Sequence, residues 1–213
     1  FGAKSEVVTY ETRRQGDPAT TRFLPSGAEN LLPSLANSFS VGLWVAILNL
    51  VLSVTAAYAI AVIPFRGRRG ALYAILVTRV IPDIALIVPL FLLVRALGLV
   101  NTQTALVTTY LAVCSHVAAL RHVYLPLALP AVIASLMFAF LTSWNEFIFA
   151  LILTQNVAAQ TLPIVISGFV MDFTTSFSFV NAAGVIAIVP PVVLAMLFER
   201  YIVSGLTAGA VKG

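Results

Sequence analysis

The chain has 213 residues, 60% of them hydrophobic and only 9% charged, with a net charge of +4 and a mean hydropathy of +1.02. Such a composition lies outside the soluble globular range and marks a polytopic membrane protein, so the positive charge is read as loop topology and not as nucleic-acid binding. One cysteine, Cys114, excludes an internal disulfide, and no spacing of Cys or His marks a zinc site.

Residues 1–34 are rich in Thr, Arg, Glu, Gly and Pro, carry no sustained apolar period and read as an external polar segment. The hydrophilic opening at Phe1, without Met, reads as a fragment whose natural amino terminus is absent, and no signal peptide is visible. The run 35–63, "LANSFSVGLWVAILNLVLSVTAAYAIAVI", exceeds the roughly 20 residues a spanning helix needs. It ends at "PFRGRR", where Pro64 and Gly67 interrupt the helix and Arg66, Arg68 and Arg69 mark a cytoplasmic turn.

The run 71–94 is also long enough to span, but Arg79, Pro82, Asp83 and Pro89 predict a broken or kinked helix. Arg or Asp at the centre of a span costs about 2.5–3.5 kcal/mol, so both face protein or water. Their spacing of four places them on one helical face within pairing distance. They are candidates for a translocation path, with an internal ion pair that stabilises the kink as the simpler reading. "RALGLVNTQ" then forms an external turn.

One further crossing must lie between Asn101 and Arg121, yet only "TALVTTYLAV", residues 104–113, is plainly apolar. Ten helical residues rise about 15 Å, half the hydrocarbon thickness, so 104–113 is a partial span. Beyond it, Val113, Val117, Leu120 and Tyr124 form one apolar stripe, with Ser115 and His122 opposite. An amphipathic helix over 114–125 on the positive side either docks a partner or rests on lipid headgroups, and periodicity alone leaves both open.

Two clear spans follow. Residues 127–153 are interrupted by "SWNE" at 143–146, and residues 182–198 contain Pro190 and Pro191. Between them the only apolar piece, 163–170, is too short to cross and lies outside, while 199–213, with Arg200 and Lys212, forms a cytoplasmic tail. An intramembrane carboxylate is a functional hypothesis by default. Trp144 can offer a stacking face to a sugar, and Asn145 and Glu146 can bind hydroxyls. The structural reading, an interfacial Trp and a Glu bonded to a neighbouring helix, is placed ahead of that one.

"VYLPLALPA", "FLTSWNEFIFALILT" and the terminal "YIVSGLTAGAVKG" resemble the maltose-type, carbohydrate-importing branch of ABC transporter permeases. The resemblance covers Phe1 to Gly213 apart from two gaps; it is specific at "SWNEF" and "GLTAGAVKG" and weaker over 1–34. It implies an all-α polytopic fold, the type I ABC importer transmembrane domain, with six spans in the full protein and a place in a bacterial or archaeal plasma membrane. The family's cytoplasmic loop has the form E-A-A, three residues, Gly, nine residues, Ile-x-Leu-Pro. Val123, Leu125 and Pro126 fit its close, but the Gly position falls on Val113 and the E-A-A positions on Val107, Thr108 and Thr109. The pattern fails at the residue where the crossing falls short, so roughly 30 residues are expected to be absent between Val113 and Cys114. "FGAKSEVV" resembles the segment just outside the family's first span, which places that span before Phe1.

By the same resemblance, the loop helix enters a cleft on a cytoplasmic ATPase. Ser115, Ala118, Ala119, Leu120 and Arg121 are the coupling candidates, with Lys212 in the tail and a solvated turn as the plain alternative. His116 and His122 read as polar-face residues, not ligands. The implied partners are a second permease subunit forming a heterodimer, two ATPase domains or subunits that bind ATP and Mg, an external solute-binding protein or lipoprotein, and membrane lipids. No P-loop of the form GxxxxGK[ST] occurs, so ATP hydrolysis is expected from a partner; no catalytic residue, metal site or cofactor is expected in this chain. The implied cargo is a disaccharide such as trehalose or maltose, with glycerol phosphate or a related diester as the alternative. A self-contained channel or secondary carrier would show internal repeats and a midplane ion site, and no convincing repeat is visible.

Overall fold

Helix α1 (Leu31–Val62) has 32 residues and is about 48 Å long at 1.5 Å per residue, ample for a bilayer core of about 30 Å. Pro33 stands in its first turn, where a missing N–H breaks no intrahelical bond. The helix stops at Ile63, whose ψ of 119° is the extended conformation that the following Pro64 imposes. The computed structural model describes residues 28–64, 66–78, 81–122, 129–171 and 177–207, and among these there is no strand.

The buried face of α1 carries Ser34, Ser38, Val41, Val45, Asn49 and Ser53, while Leu43, Trp44, Ile47, Leu48, Val51 and Leu52 are exposed. A helix in water does the reverse. Lipid solvates large apolar side chains, so small and polar residues are left to make the helix contacts. Helix α8 (Phe177–Thr207) follows the same rule, with Val185, Ile188, Val189, Met196 and Leu197 exposed. Among the described residues two stretches, Ala28–Ile60 and Phe179–Tyr201, are long and apolar enough to cross a membrane, and Val132–Trp144 is a shorter apolar helix.

Between α1 and α8 lie α2 (Arg68–Thr78), α3 (Ile87–Ala96), α4 (Gln103–His122), α5 (Leu129–Trp144), α6 (Ile148–Leu153) and α7 (Leu162–Met171). The expected span 71–94 is divided: α2 ends at Thr78, Pro82 is extended at ψ 134°, and a 3-10 turn, Asp83–Leu86, leads into α3. Proline lacks a donor and disfavours helix in the residue before it. Asp83 therefore does not continue helix α2. Asp83 is exposed in its turn, and Arg79 lies outside the described residues.

Three further expectations change. Helix α4 runs unbroken through Val113 and Cys114, joining the expected partial span 104–113 to most of the expected segment 114–125. Its 20 residues contain neither Pro nor Gly, so nothing local stops propagation. The run 127–153 is two helices, α5 and α6, separated at Asn145–Phe147. Finally, α8 extends past the expected span 182–198 through Thr207, into the stretch read above as a cytoplasmic tail; a Gly within a helix costs only about 1 kcal/mol, and the 31-residue helix absorbs Gly205.

Helix α1 is the hub. Its Val41 and Val45 pack with Ala105, Leu106 and Tyr110 of α4 and with Phe149 and Leu153 of α6. Its Ala46 meets Ala139, Phe140 and Trp144 of α5. Gly42 brings α1 against α5 so closely that a Cβ there would lie 2.8 Å from Phe140 Cε2. Near their starts, Asn37 and Gln103 are hydrogen-bonded at 2.7 Å, so α1 and α4 run parallel.

The loops at that end are tied by side-chain amides. Asn37 Nδ2 donates to the Ala158 and Gln160 carbonyls at 2.9 and 3.1 Å. Ser40 donates to Gln103 Oε1 at 3.3 Å. Asn101, in the left-handed region at φ 64°, accepts from the N–H groups of Gln155 and Asn156 through Oδ1. These bonds satisfy backbone groups that have no helical partner, a need that is acute beside a bilayer.

Candidate functional site

The break between α5 and α6 builds the site. Helix α5 ends as the Asn145 N–H reaches Leu141 O at 3.1 Å, and Asn145 Nδ2 donates to the same carbonyl at 2.8 Å. The first N–H groups of α6 have no helical acceptor. Glu146 supplies one: Oε1 accepts from Phe149 N at 3.0 Å and Oε2 from Ala150 N at 3.1 Å. A negative charge at a helix N-terminus is favourable electrostatically as well. Glu146 thus caps α6 with both oxygens.

Trp144 is buried and stacks on Phe140, with ring centroids 5.5 Å apart and planes inclined by 25°. Phe140 in turn meets Phe39 of α1 edge-on at 5.8 Å. Trp144, the last ring of this series, lines a cavity of about 570 Å³, within the roughly 300–1,000 Å³ of small-molecule pockets. Asn145 and Phe147 complete the wall from the α5–α6 break. Helix α7 contributes Pro163, Ile166 and Ser167, and α8 contributes Ala187, Ile188 and Pro191.

The polar groups are few and placed on different elements. Ser167 donates to Ile164 O at 2.7 Å, which leaves its oxygen lone pairs to accept. Asn145 keeps Oδ1 and one amide proton available after its bond to Leu141. Pro190 and Pro191 have no N–H, so the carbonyls of Ile186 and Ala187 lose their α-helical donors, and Ala187 lines the cavity. An aromatic side chain, an amide and a hydroxyl suit an uncharged, hydroxyl-bearing molecule. Among the described residues no charged side chain lines the cavity.

The structure therefore brings Trp144 and Asn145 together at one cavity and leaves Glu146 beside them as a cap. Asp83 does not line it. Ser115, Ala118, Ala119, Leu120 and Arg121 belong to the second half of the α4 backbone, and their side chains lie outside the described residues, as do Val123, Leu125, Pro126 and Lys212. Ser167 and Ala187 were missed from sequence. The visible signal for the second was the Pro190–Pro191 pair inside an apolar run.

No family model matches the chain. Among curated proteins, the sulfoquinovosyl glycerol transport system permease of Agrobacterium fabrum is 34% identical over 207 aligned positions, which take in 84% of this chain and 73% of that protein. The trehalose transport system permease of Mycobacterium tuberculosis is 32% identical over 210 positions, with 84% of this chain and 77% of that protein. The trehalose/maltose transport system permease of Thermococcus litoralis is 34% identical over 208 positions, with 84% and 75% covered. Two more permeases align over 214 and 217 positions, taking in 87% and 90% of this chain. Identity at this level across helices that expose their large apolar residues makes the chain a multi-pass membrane protein and not an enzyme. It belongs to the permease subunits of ABC sugar transport systems.

Proposed function

We propose that this chain is the membrane-spanning half of an ATP-driven importer whose cargo is an uncharged carbohydrate, a disaccharide such as trehalose or maltose. The observation that carries the cargo class is the cavity at the α5–α6 break, which Trp144, Asn145 and Ser167 line together and which no charged side chain lines among the described residues. Glycerol phosphate or a diester would need a cation to meet its phosphate, and that favours the neutral sugar. An external solute-binding protein delivers the sugar, a second permease subunit completes the path, and two ATPase domains bind ATP and Mg on the cytoplasmic side.

Transport is alternating access, a rigid-body change biased by the loaded binding protein on one side and by ATP on the other. The α5–α6 break and the Pro190–Pro191 pair are the points at which two cavity-lining helices can bend. Ser115, Ala118, Ala119, Leu120 and Arg121 form the contact with the ATPase, and Lys212 adds to it from the tail. Uptake of labelled trehalose, maltose and glycerol phosphate by membrane vesicles holding the full assembly tests this reading. ATP-dependent uptake of a disaccharide, weakened in Trp144→Ala through its half-saturation concentration, is expected. Uptake that persists without ATP, or that prefers the phosphate, would sink it.

A further inference from the structure

Helix α1 turns one continuous stripe away from the other helices. Trp44, Leu48, Val51, Thr55 and Tyr58 follow one another at helical spacing, and all five are exposed. Thr55 donates its hydroxyl to Val51 O at 2.9 Å, so the stripe offers lipid no unsatisfied donor. Ile63, just past the helix, is exposed as well. From Ile63 back to Leu43 the rise is about 30 Å, the thickness of the hydrocarbon core. This register sets Trp44 at the outer interface, where Trp is enriched. It also leaves Asn37, Ser40 and their hydrogen bonds outside the hydrocarbon.

Immediately beyond Ile63 the chain turns through Pro64 and Gly67 into α2, and this turn carries Arg66, Arg68 and Arg69. Arg66 and Arg69 are exposed, while the Arg68 side chain lies outside the described ones. Tyr58 precedes Ile63 and Tyr73 follows Arg68 by the same interval, about 7.5 Å along each helix. Both rings are more than half exposed, at 55% and 66%. Each therefore stands just inside the arginines with a hydroxyl able to reach the headgroups. From Asn30 to Pro82 the sequence has no Asp or Glu, so nothing along α1 or α2 answers these positive charges. Glu199, toward the cytoplasmic end of α8, belongs to a helix that packs on α5 and α7.

We propose that the α1–α2 turn binds an anionic phospholipid of the cytoplasmic leaflet, with Arg66 and Arg69 on its phosphate and Tyr58 and Tyr73 against its glycerol and upper acyl region. The order of groups along the surface, guanidinium, phenol, aliphatic stripe, is the order of a phospholipid from phosphate to tail. A guanidinium pairs with phosphate oxygens through two parallel N–H donors. A soluble acidic partner would meet the arginines but not the exposed Tyr58, Val51 and Leu48, which lie within the hydrocarbon. A zwitterionic lipid carries the same phosphate but cancels its charge, so the site selects by net charge. Since α4, α5 and α6 pack on α1, the bound lipid holds the cytoplasmic end of the hub. The proposal needs only the chain's place in a membrane and is independent of the importer reading.

The full chain in detergent micelles is titrated with phosphatidylglycerol or phosphatidylcholine of matched acyl chains, and the lipid it retains is counted by native mass spectrometry. The parent is expected to retain phosphatidylglycerol in preference. Arg66→Gln with Arg69→Gln is expected to lose about 30-fold of that preference, at about 5-fold for each arginine. Arg66→Lys with Arg69→Lys keeps the charges and should fall between the two. Raising the salt to about 1 M, where the screening length is about 3 Å, should weaken the parent's preference and leave the Gln pair unchanged. Equal retention of the two lipids by the parent overturns the proposal, as does a preference that survives in the Gln pair. Both arginines are exposed, so the Gln pair should unfold at the parent's temperature in lipid-free detergent; a drop there assigns them to the fold and also overturns it. A Gln pair that keeps phosphatidylglycerol but no longer co-purifies with ATPase subunits shows that the turn meets a protein, which overturns it and leaves the importer reading standing.

Discussion

Gly42→Ala adds one methyl group to α1 at the point where it crosses α5, 2.8 Å from Phe140 Cε2 and 3.0 Å from Cδ2. Real carbon contacts do not come this close, so the ring must move. It has little room, because Trp144 stacks on it at 5.5 Å and Phe39 meets it edge-on at 5.8 Å. Overpacking of this kind costs about 1–3 kcal/mol. Against it stands the usual gain for Gly→Ala within a helix, about 0.5–1 kcal/mol. The net expectation is a destabilisation of about 0.5–2 kcal/mol, accompanied by displacement of the indole that walls the cavity. Thermal unfolding of the detergent-purified protein reads the first effect. Emission from Trp144, in a Trp44→Phe background that leaves one tryptophan, reads the second. Phe140→Leu opens the space beside Gly42, so Gly42→Ala with Phe140→Leu should recover stability relative to the sum of the single variants, with a coupling of about 1 kcal/mol. A Gly42→Ala protein as stable as the parent, with unshifted Trp144 emission, would refute the argument that this close approach positions the wall.

Glu146→Ala strips the acceptors from two N–H groups at a helix break and is expected to cost about 1–3 kcal/mol, with Glu146→Gln, which keeps one acceptor oxygen, falling between it and the parent. If Gln and Ala behave alike in thermal unfolding, Glu146 is not acting as the cap. Asn101→Ala loses the acceptor for Gln155 and Asn156 and also places a Cβ residue without local hydrogen bonding at φ 64°, a strain of about 1–2 kcal/mol. Asn101→Gly relieves the strain alone, so limited proteolysis of the 154–161 loop should rank parent, then Gly, then Ala in order of increasing cleavage; the reverse order for Gly and Ala is the contrary result. Asn37→Ala removes three hydrogen bonds, two to carbonyls and one to Gln103, and is expected to cost about 2–3 kcal/mol, whereas Ser40→Ala removes one and costs about 1 kcal/mol or less. Equal losses in the two variants would show that the amide network does not tie α1 to the 157–160 turn.

Much of the fold was legible in the residues because a bilayer imposes a length and a solvent. The 35–63 run announced α1 by length alone, and the Pro-rich 71–94 run announced a division before its two helices were seen. The α4 boundary was not legible, because no Pro or Gly interrupts 103–122 and local propensity carries a helix straight through the junction. At the site, "SWNE" marked the right four residues but not their division of labour. Only the backbone break shows that Glu146 is consumed by the N–H groups of α6 while Trp144 and Asn145 reach the cavity.

The sequence by itself determined that the chain is a polytopic membrane protein of the sugar-permease family, since hydropathy, charge placement and two terminal motifs are local properties that survive without coordinates. The tertiary structure decided which face of each helix does what. Hydrophobic periodicity is nearly silent in α1 and α8, because lipid accepts large apolar residues all round a helix. The contact faces therefore became visible only when α1 met α4 and α5, placing Ser38, Asn49 and Gly42 inward and drawing Phe140 and Trp144 into one stack at the cavity wall.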